Sequence, residues 1–345
     1  MWFYITIVVL SVIWGVLFRK RTYASLVLFL LLLFILMFRD ETVGTDTQAY
    51  LAHIQNEYGN IFSFSVKNFE IIYQFAVNTI IKMNLPANFI LYFLAILPFL
   101  FIFVSFKKFN ASLGIGLVFF VLLGHYFYAF NGARQIAAAG ILLLAYLFLQ
   151  SEDKNRKLKF LIWILIASLV HISSIFFVIM VFIPKKIPKI VVPILFVVSI
   201  IFLFVGSSSL NYLLLNYISP FYANYQEIMS ESNAASLNGK IFYFILSLVQ
   251  IIIFYRNRST VNSTLSNIYL VSIFLFLILI NLHPYISRIL YGITIIQIFY
   301  YAKVFEERPR RNIFLGLILV ILFFYRIYDM LNLNVGEIIP YKFNL

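Results

Sequence analysis

The sequence predicts an all-α fold, a polytopic bundle of about 11–12 transmembrane spans with interfacial or re-entrant helices on one face. Three observations carry this. Apolar runs long enough to cross a bilayer recur along all 345 residues. Apolar residues make up 63% of the chain and charged ones 11%, where a soluble domain carries about 25%. The 26 lysines and arginines fall in short clusters between the runs. That spread argues against nucleic acid as a partner despite the net charge of +13. No soluble domain boundary is visible, so residues 1–345 read as a single integral membrane domain. Cysteine is absent, which excludes disulfides, thiol catalysis and Cys-based metal sites.

Taken in order, the apolar runs place spans near 2–18, 23–38, 87–106, 111–130, 133–150, 190–206, 240–255, 264–282, 285–302 and 312–328. The first, "MWFYITIVVLSVIWGVLF", has no basic region before it and no small-residue cleavage site. It reads as an uncleaved span with its N-terminus outside, because Arg19-Lys20-Arg21 follow it. Residues 69–84, "FEIIYQFAVNTIIKMN", have a helical pattern but carry Glu70, Gln74, Asn78 and Lys82, which suits an interfacial or re-entrant helix. Residues 160–183 form either one long span or two short helices meeting near His171. Both flanks are basic, Lys154 to Lys159 and Lys185 to Lys189, and only the bent pair keeps both on the inner side.

With the bent pair, eighteen of the 26 basic residues lie inside. Arg39, Arg134, Arg288 and Arg326 fall at outer ends of spans, as do His53, His125, His171 and His283. Two outer loops are long, 39–68 and 207–239. The second is rich in Tyr, Asn and Ser, which suits stacking on sugars or lying at the headgroup level. The inner face is anchoring charge, and the outer face is where chemistry is expected.

Arg134 interrupts the apolar stretch "YAFNGARQIAAAGILLLAY". A lone arginine at a span end commonly snorkels to the interface. Several at one depth can instead clamp a diphosphate, since the guanidinium fork binds phosphate bidentately and keeps its charge. In "RDETVGTDTQAY", Gly44 permits a tight turn, and Thr45 or Asp46 caps the next helix. Asp46 could equally face a sugar hydroxyl as base. His171, in "SLVHISS", is a structural donor or a proton-transfer group, for which imidazole is suited near neutral pH. His283 and Arg288 flank a Pro-marked span start in "NLHPYISRILYG". Arg326 and Asp329 are spaced for a helix-surface ion pair. His125 and His283 read as structural.

Several signatures are missing: G-x-x-x-x-G-K-[ST], H-E-x-x-H, G-x-S-x-G and any D-x-D pair. An ATP-driven pump, a zinc protease and a metal-dependent nucleotide-sugar enzyme are disfavoured. A lipid-diphosphate donor needs no cofactor.

The ordered set "RDETVGTDTQAY", "FNGARQIAAAGILLLAYLFL", "EDKNRKLKFL", "LIASLVHISSIFF" and "IIPYKFNL" resembles the EpsG family, which overlaps the Wzy-type polymerases of bacterial surface polysaccharides. The segment "NFEIIYQF" only partly fits, because it lacks the Pro and Gly of the family's "YEPGY"-like piece. The resemblance implies a GT-C-like membrane glycosyltransferase in the bacterial inner membrane, with its site facing outward. There it would join undecaprenyl-diphosphate-linked repeat units of an O-antigen, capsule or exopolysaccharide. Its partners would be the lipid-linked glycan donor and acceptor, membrane lipids, a chain-length regulator and a flippase. The expected assignments are His171 or Asp46 as base, Arg134, Arg39 and Arg288 on the diphosphate, and Tyr50, Gln135 and Tyr222 toward the acceptor. A flippase or other transporter, a glycan ligase and a membrane acyltransferase remain open beside the polymerase.

Overall fold

The computed structural model describes residues 1–19, 21–58, 70–205, 236–259, 261–281 and 289–344. Among them the chain forms fifteen α-helices and one 3-10 helix, and no sheet beyond a single bridge between Arg39 and Phe343. The helices are α1 (Trp2–Leu17), α2 (Thr22–Met37), α3 (Thr45–Tyr58), α4 (Ile71–Lys82), α5 (Phe89–Lys108), α6 (Leu113–Leu122), α7 (His125–Tyr128), α8 (Ala133–Gln150) and α9 (Arg156–Val170). The 3-10 helix Ile172–Phe182 follows. Then come α10 (Val191–Phe204), α11 (Leu237–Asn257), α12 (Ser263–Leu279), α13 (Leu290–Thr294), α14 (Ile296–Glu307) and α15 (Pro309–Asn332).

Four helices, α5, α8, α11 and α15, are long and apolar enough to cross a membrane, and six shorter helical segments are also apolar. Large apolar side chains stay exposed on the outer faces, such as Ile13, Leu30, Leu165, Ile194 and Ile321. In water that pattern would be an aggregation hazard, so these faces are built for lipid. The chain is a multi-pass membrane protein.

Helix α8 is the hub. Of its apolar window 78% is buried, against 22% for the peripheral α15. Its Ala-Ala-Ala-Gly run lets α5 come close: a Cβ on Gly140 would sit 2.7 Å from Pro98 Cα. Small residues at such contacts permit tight packing where lipid offers no hydrophobic drive between helices.

The segment 160–183 bends. His171 is extended (φ −153°, ψ 116°), closing α9 through its amide to Ala167 O and opening the 3-10 helix through its carbonyl to Ser174 N. Phe160 and Phe177, seventeen positions apart, both lie against the Tyr146 ring, at 6.3 and 6.4 Å between centroids. Only a hairpin with His171 at its apex does this. The basic clusters before and after it therefore share one end, where Asn262 Nδ2 donates to Gln150 O and Asn267 Nδ2 to Pro184 O. Contacts of Ser112 with Arg19 O and Glu306, and of Asn257 with Asn312, gather the remaining basic loops at that end.

Two expected spans are interrupted. The run 111–130 breaks at Gly124, whose φ of +81° separates α6 from α7. The run 285–302 is divided between α13 and α14, and its start lies outside the described residues. The loop 39–68 is partly helical, since it contains α3. Most of the loop 207–239 lies outside the described residues, and its last residues open α11. Helix α4, with 12 residues, is about 18 Å long. That is too short to span, as its polar residues suggest.

Candidate functional site

At the end opposite the basic loops, α3, α4 and the start of α5 form a small cap with its own core of Tyr50, Ile54, Tyr73, Val77 and Leu91, packed on Ala133 at the start of α8. The linkage is specific. Asn131 Oδ1 accepts both the Thr45 amide (2.7 Å) and the Thr45 hydroxyl (3.0 Å). A distant segment thus supplies an acceptor to the first turn of α3. Gly44 makes the approach sterically feasible. Its φ is +93°, and a Cβ there would lie 2.4 Å from Phe130 O. The segment 336–344 closes the same corner: Gly44 and Thr45 amides donate to Glu337 and Gly336 carbonyls, and the Asp40 amide donates to Lys342 O.

Under this cap three charged or titratable side chains meet. Arg134, in the first turn of α8, pairs through NH1 with Glu70 Oε2. The other oxygen, Glu70 Oε1, lies 2.7 Å from His171 Nδ1 and 3.4 Å from the Ile172 amide. The three side chains are partly buried, with Glu70 only 12% exposed. A cation in the first turn of a helix opposes the helix dipole. Here Glu70 compensates it, and does so from the N-cap position of α4, where a negative charge is favoured. Burial works against the Glu70 charge, but the hydrogen bond with His171 and the charge of Arg134 outweigh it and hold the carboxyl down at about 2. An ionised carboxylate can only accept, so in this pair the His171 Nδ1–H donates to Glu70 Oε1. Tyr50 and Tyr73 wall the guanidinium, their ring centroids 5.8 and 5.2 Å from Arg134 Cζ.

The structure brings Arg134, His171 and Tyr50 together. Asp46 is half-buried in the first turn of α3, one turn before Tyr50, whose hydroxyl senses its charge. Gln135 accepts from the Tyr128 hydroxyl at 2.6 Å, and the Tyr128 ring stacks on Tyr291 at 3.9 Å. Arg39 is buried beside the cap, close enough to Tyr50 for the two to interact electrostatically. It is 2% exposed, donates to Thr47 Oγ1 (3.1 Å) and Leu36 O (2.9 Å), and lies over Phe130 at 5.5 Å. These bonds tie the end of α2 to the first turn of α3, and the buried Nη2 has no hydrogen-bond partner among the described residues. Arg326 forms no ion pair with Asp329. Its guanidinium turns inward over Phe276, at 5.4 Å. His125 is fully buried between Phe120 and Tyr291, in keeping with a structural role. Arg288, His283 and Tyr222 lie outside the described residues.

Glu70 is the member that the sequence analysis did not single out. Its one signal was position: it is the carboxylate of the segment that only partly fits the family's "YEPGY"-like piece. Arg134 lies 64 positions away and His171 101, so no local spacing links them.

A model of the EpsG family matches residues 22–343, nearly the whole chain. No curated protein and no solved structure is significantly similar. On the family match the chain belongs to the EpsG family.

Proposed function

We propose that this EpsG-family chain polymerises undecaprenyl-diphosphate-linked oligosaccharide repeat units into a surface polysaccharide at the outer face of the bacterial inner membrane. The single observation that carries the reading is the Glu70 carboxylate shared between Arg134 and His171. Glycosyl transfer from a lipid diphosphate needs a base at the attacking hydroxyl and positive charge at the leaving group. Glu70 serves both needs. It fixes the His171 tautomer so that Nε2 can take the proton of the acceptor hydroxyl as that oxygen attacks the anomeric carbon. It also aims Arg134, which stays charged throughout, at the departing diphosphate. Tyr50 and Tyr73 supply aromatic walls beside the guanidinium, and Asp46 borders the acceptor side. The basic clusters at the opposite end support an outward-facing site by the positive-inside rule.

The test is the surface-glycan ladder of native host cells carrying Arg134→Ala or Glu70→Gln, with protein level checked by immunoblot. Collapse to single repeat units at normal protein level supports polymerisation. Polymer retained on the lipid carrier would indicate a ligase, and repeat units trapped inside would indicate a flippase. An unchanged ladder removes these residues from the site.

A further inference from the structure

The end far from Glu70 holds a concavity that the proposed reaction does not use. Between the Pro184–Lys189 turn, the start of α10, the end of α11 and the start of α12 lies a groove with a volume of about 410 Å³. Its rim carries Lys185, Lys186, Lys189 and Arg258. Among the described residues none of the four is in an ion pair. The three lysines are held by "PKKIPK", where Pro184 and Pro188 restrict the backbone and lower the ordering cost of binding. The floor is buried and mixed, with Asn267 and Ser266 beside Val192 and Phe254.

A concentrated, unneutralised positive charge at a membrane surface calls for a phosphate-bearing anion. The next feature along the chain says which kind. Directly after Lys189, Ile190, Ile194, Val197 and Ile201 are 66%, 55%, 57% and 55% exposed. Their spacing places them on one face, a stripe running roughly 16 Å along α10 from the rim of the groove. A soluble phosphate would use only the cations. A phospholipid would use both parts, its headgroup in the groove and an acyl chain along the stripe.

We propose that this groove is a binding site for an anionic phospholipid. The site is independent of the glycan chemistry and sits a hairpin's length from it. Native mass spectrometry of the purified full chain in mild detergent tests it, with cardiolipin and phosphatidylethanolamine added in parallel and inorganic pyrophosphate as competitor. Wild type is expected to retain cardiolipin in preference to phosphatidylethanolamine. The variant Lys185→Ala/Lys186→Ala/Lys189→Ala/Arg258→Ala is expected to bind it about tenfold or more weakly. A control removing equal charge from the same end, Lys154→Ala/Lys157→Ala/Arg310→Ala/Arg311→Ala, is expected to keep the lipid. All eight are exposed, so both variants should fold. Equal loss in the two variants would overturn the site in favour of diffuse attraction to a basic surface. Displacement by pyrophosphate at concentrations comparable to the lipid's would overturn the lipid assignment in favour of a soluble phosphate.

Discussion

The two ends of the bundle use the same residue types in opposite ways. At one end Arg134 is partly buried, ion-paired with Glu70 and walled by tyrosines. At the other, Lys185, Lys186, Lys189 and Arg258 stand exposed around a groove with no carboxylate paired to them among the described residues. A charge held inside a network has a fixed direction and can act on one bond of a substrate. A charge left at the rim of a groove is free to meet an incoming anion. The difference teaches that the informative feature of an arginine in a membrane protein is the acid it keeps.

Breaking the network tests this contrast most severely. Glu70→Ala and Arg134→Ala should each lower polymer formation by about 10²–10³-fold, read from the glycan ladder at matched protein level. Arg134→Lys sharpens the point: it keeps the charge but loses the fork, and about tenfold of the activity should go with it. A third test moves from chemistry to scaffold. Asn131→Ala removes the distant cap of α3 and should cost about 1 kcal/mol, read from thermal unfolding in detergent. The pH dependence of stability is a finer probe. The Glu70 carboxyl titrates at about 2 in the folded chain, below its ordinary value, so the unfolded chain binds the proton more readily. The stability it contributes is complete above the ordinary carboxyl range of about 4.3 and is lost as pH falls toward 2. Acid unfolding of Glu70→Gln, followed by tryptophan fluorescence, should show a flatter dependence across that window. At the far end Lys154→Ala/Lys157→Ala should leave the ladder unchanged, because exposed charges contribute little.

Much of the fold was legible because lipid imposes simple rules. Run length marked the spans, and the basic clusters on both sides of 160–183 favoured the bend at His171. Arg134 and His171 stood out because each interrupts an apolar run. Glu70 did not, since a carboxylate in an amphipathic helix is ordinary and its partners lie on other helices. Arg39 drew notice because it follows a span; its burial and its bonds to Leu36 O and Thr47 Oγ1 depend on packing that no local spacing shows. The break at Gly124 was hidden because the residues around it are as apolar as a continuous span. What the sequence lacked was tertiary pairing: which segments meet is decided by packing across the whole chain.

The strap formed by residues 336–344 sets an order of events. It supplies backbone acceptors to Gly44, Thr45 and Asp40, and it receives the Tyr4 hydroxyl at Ile338 O (2.8 Å). During synthesis these residues leave the ribosome after all the helices described above. Until then the α3 cap lacks part of its footing, however many helices are already inserted. A half-built chain thus carries Glu70, Arg134 and His171 without the finished corner above them.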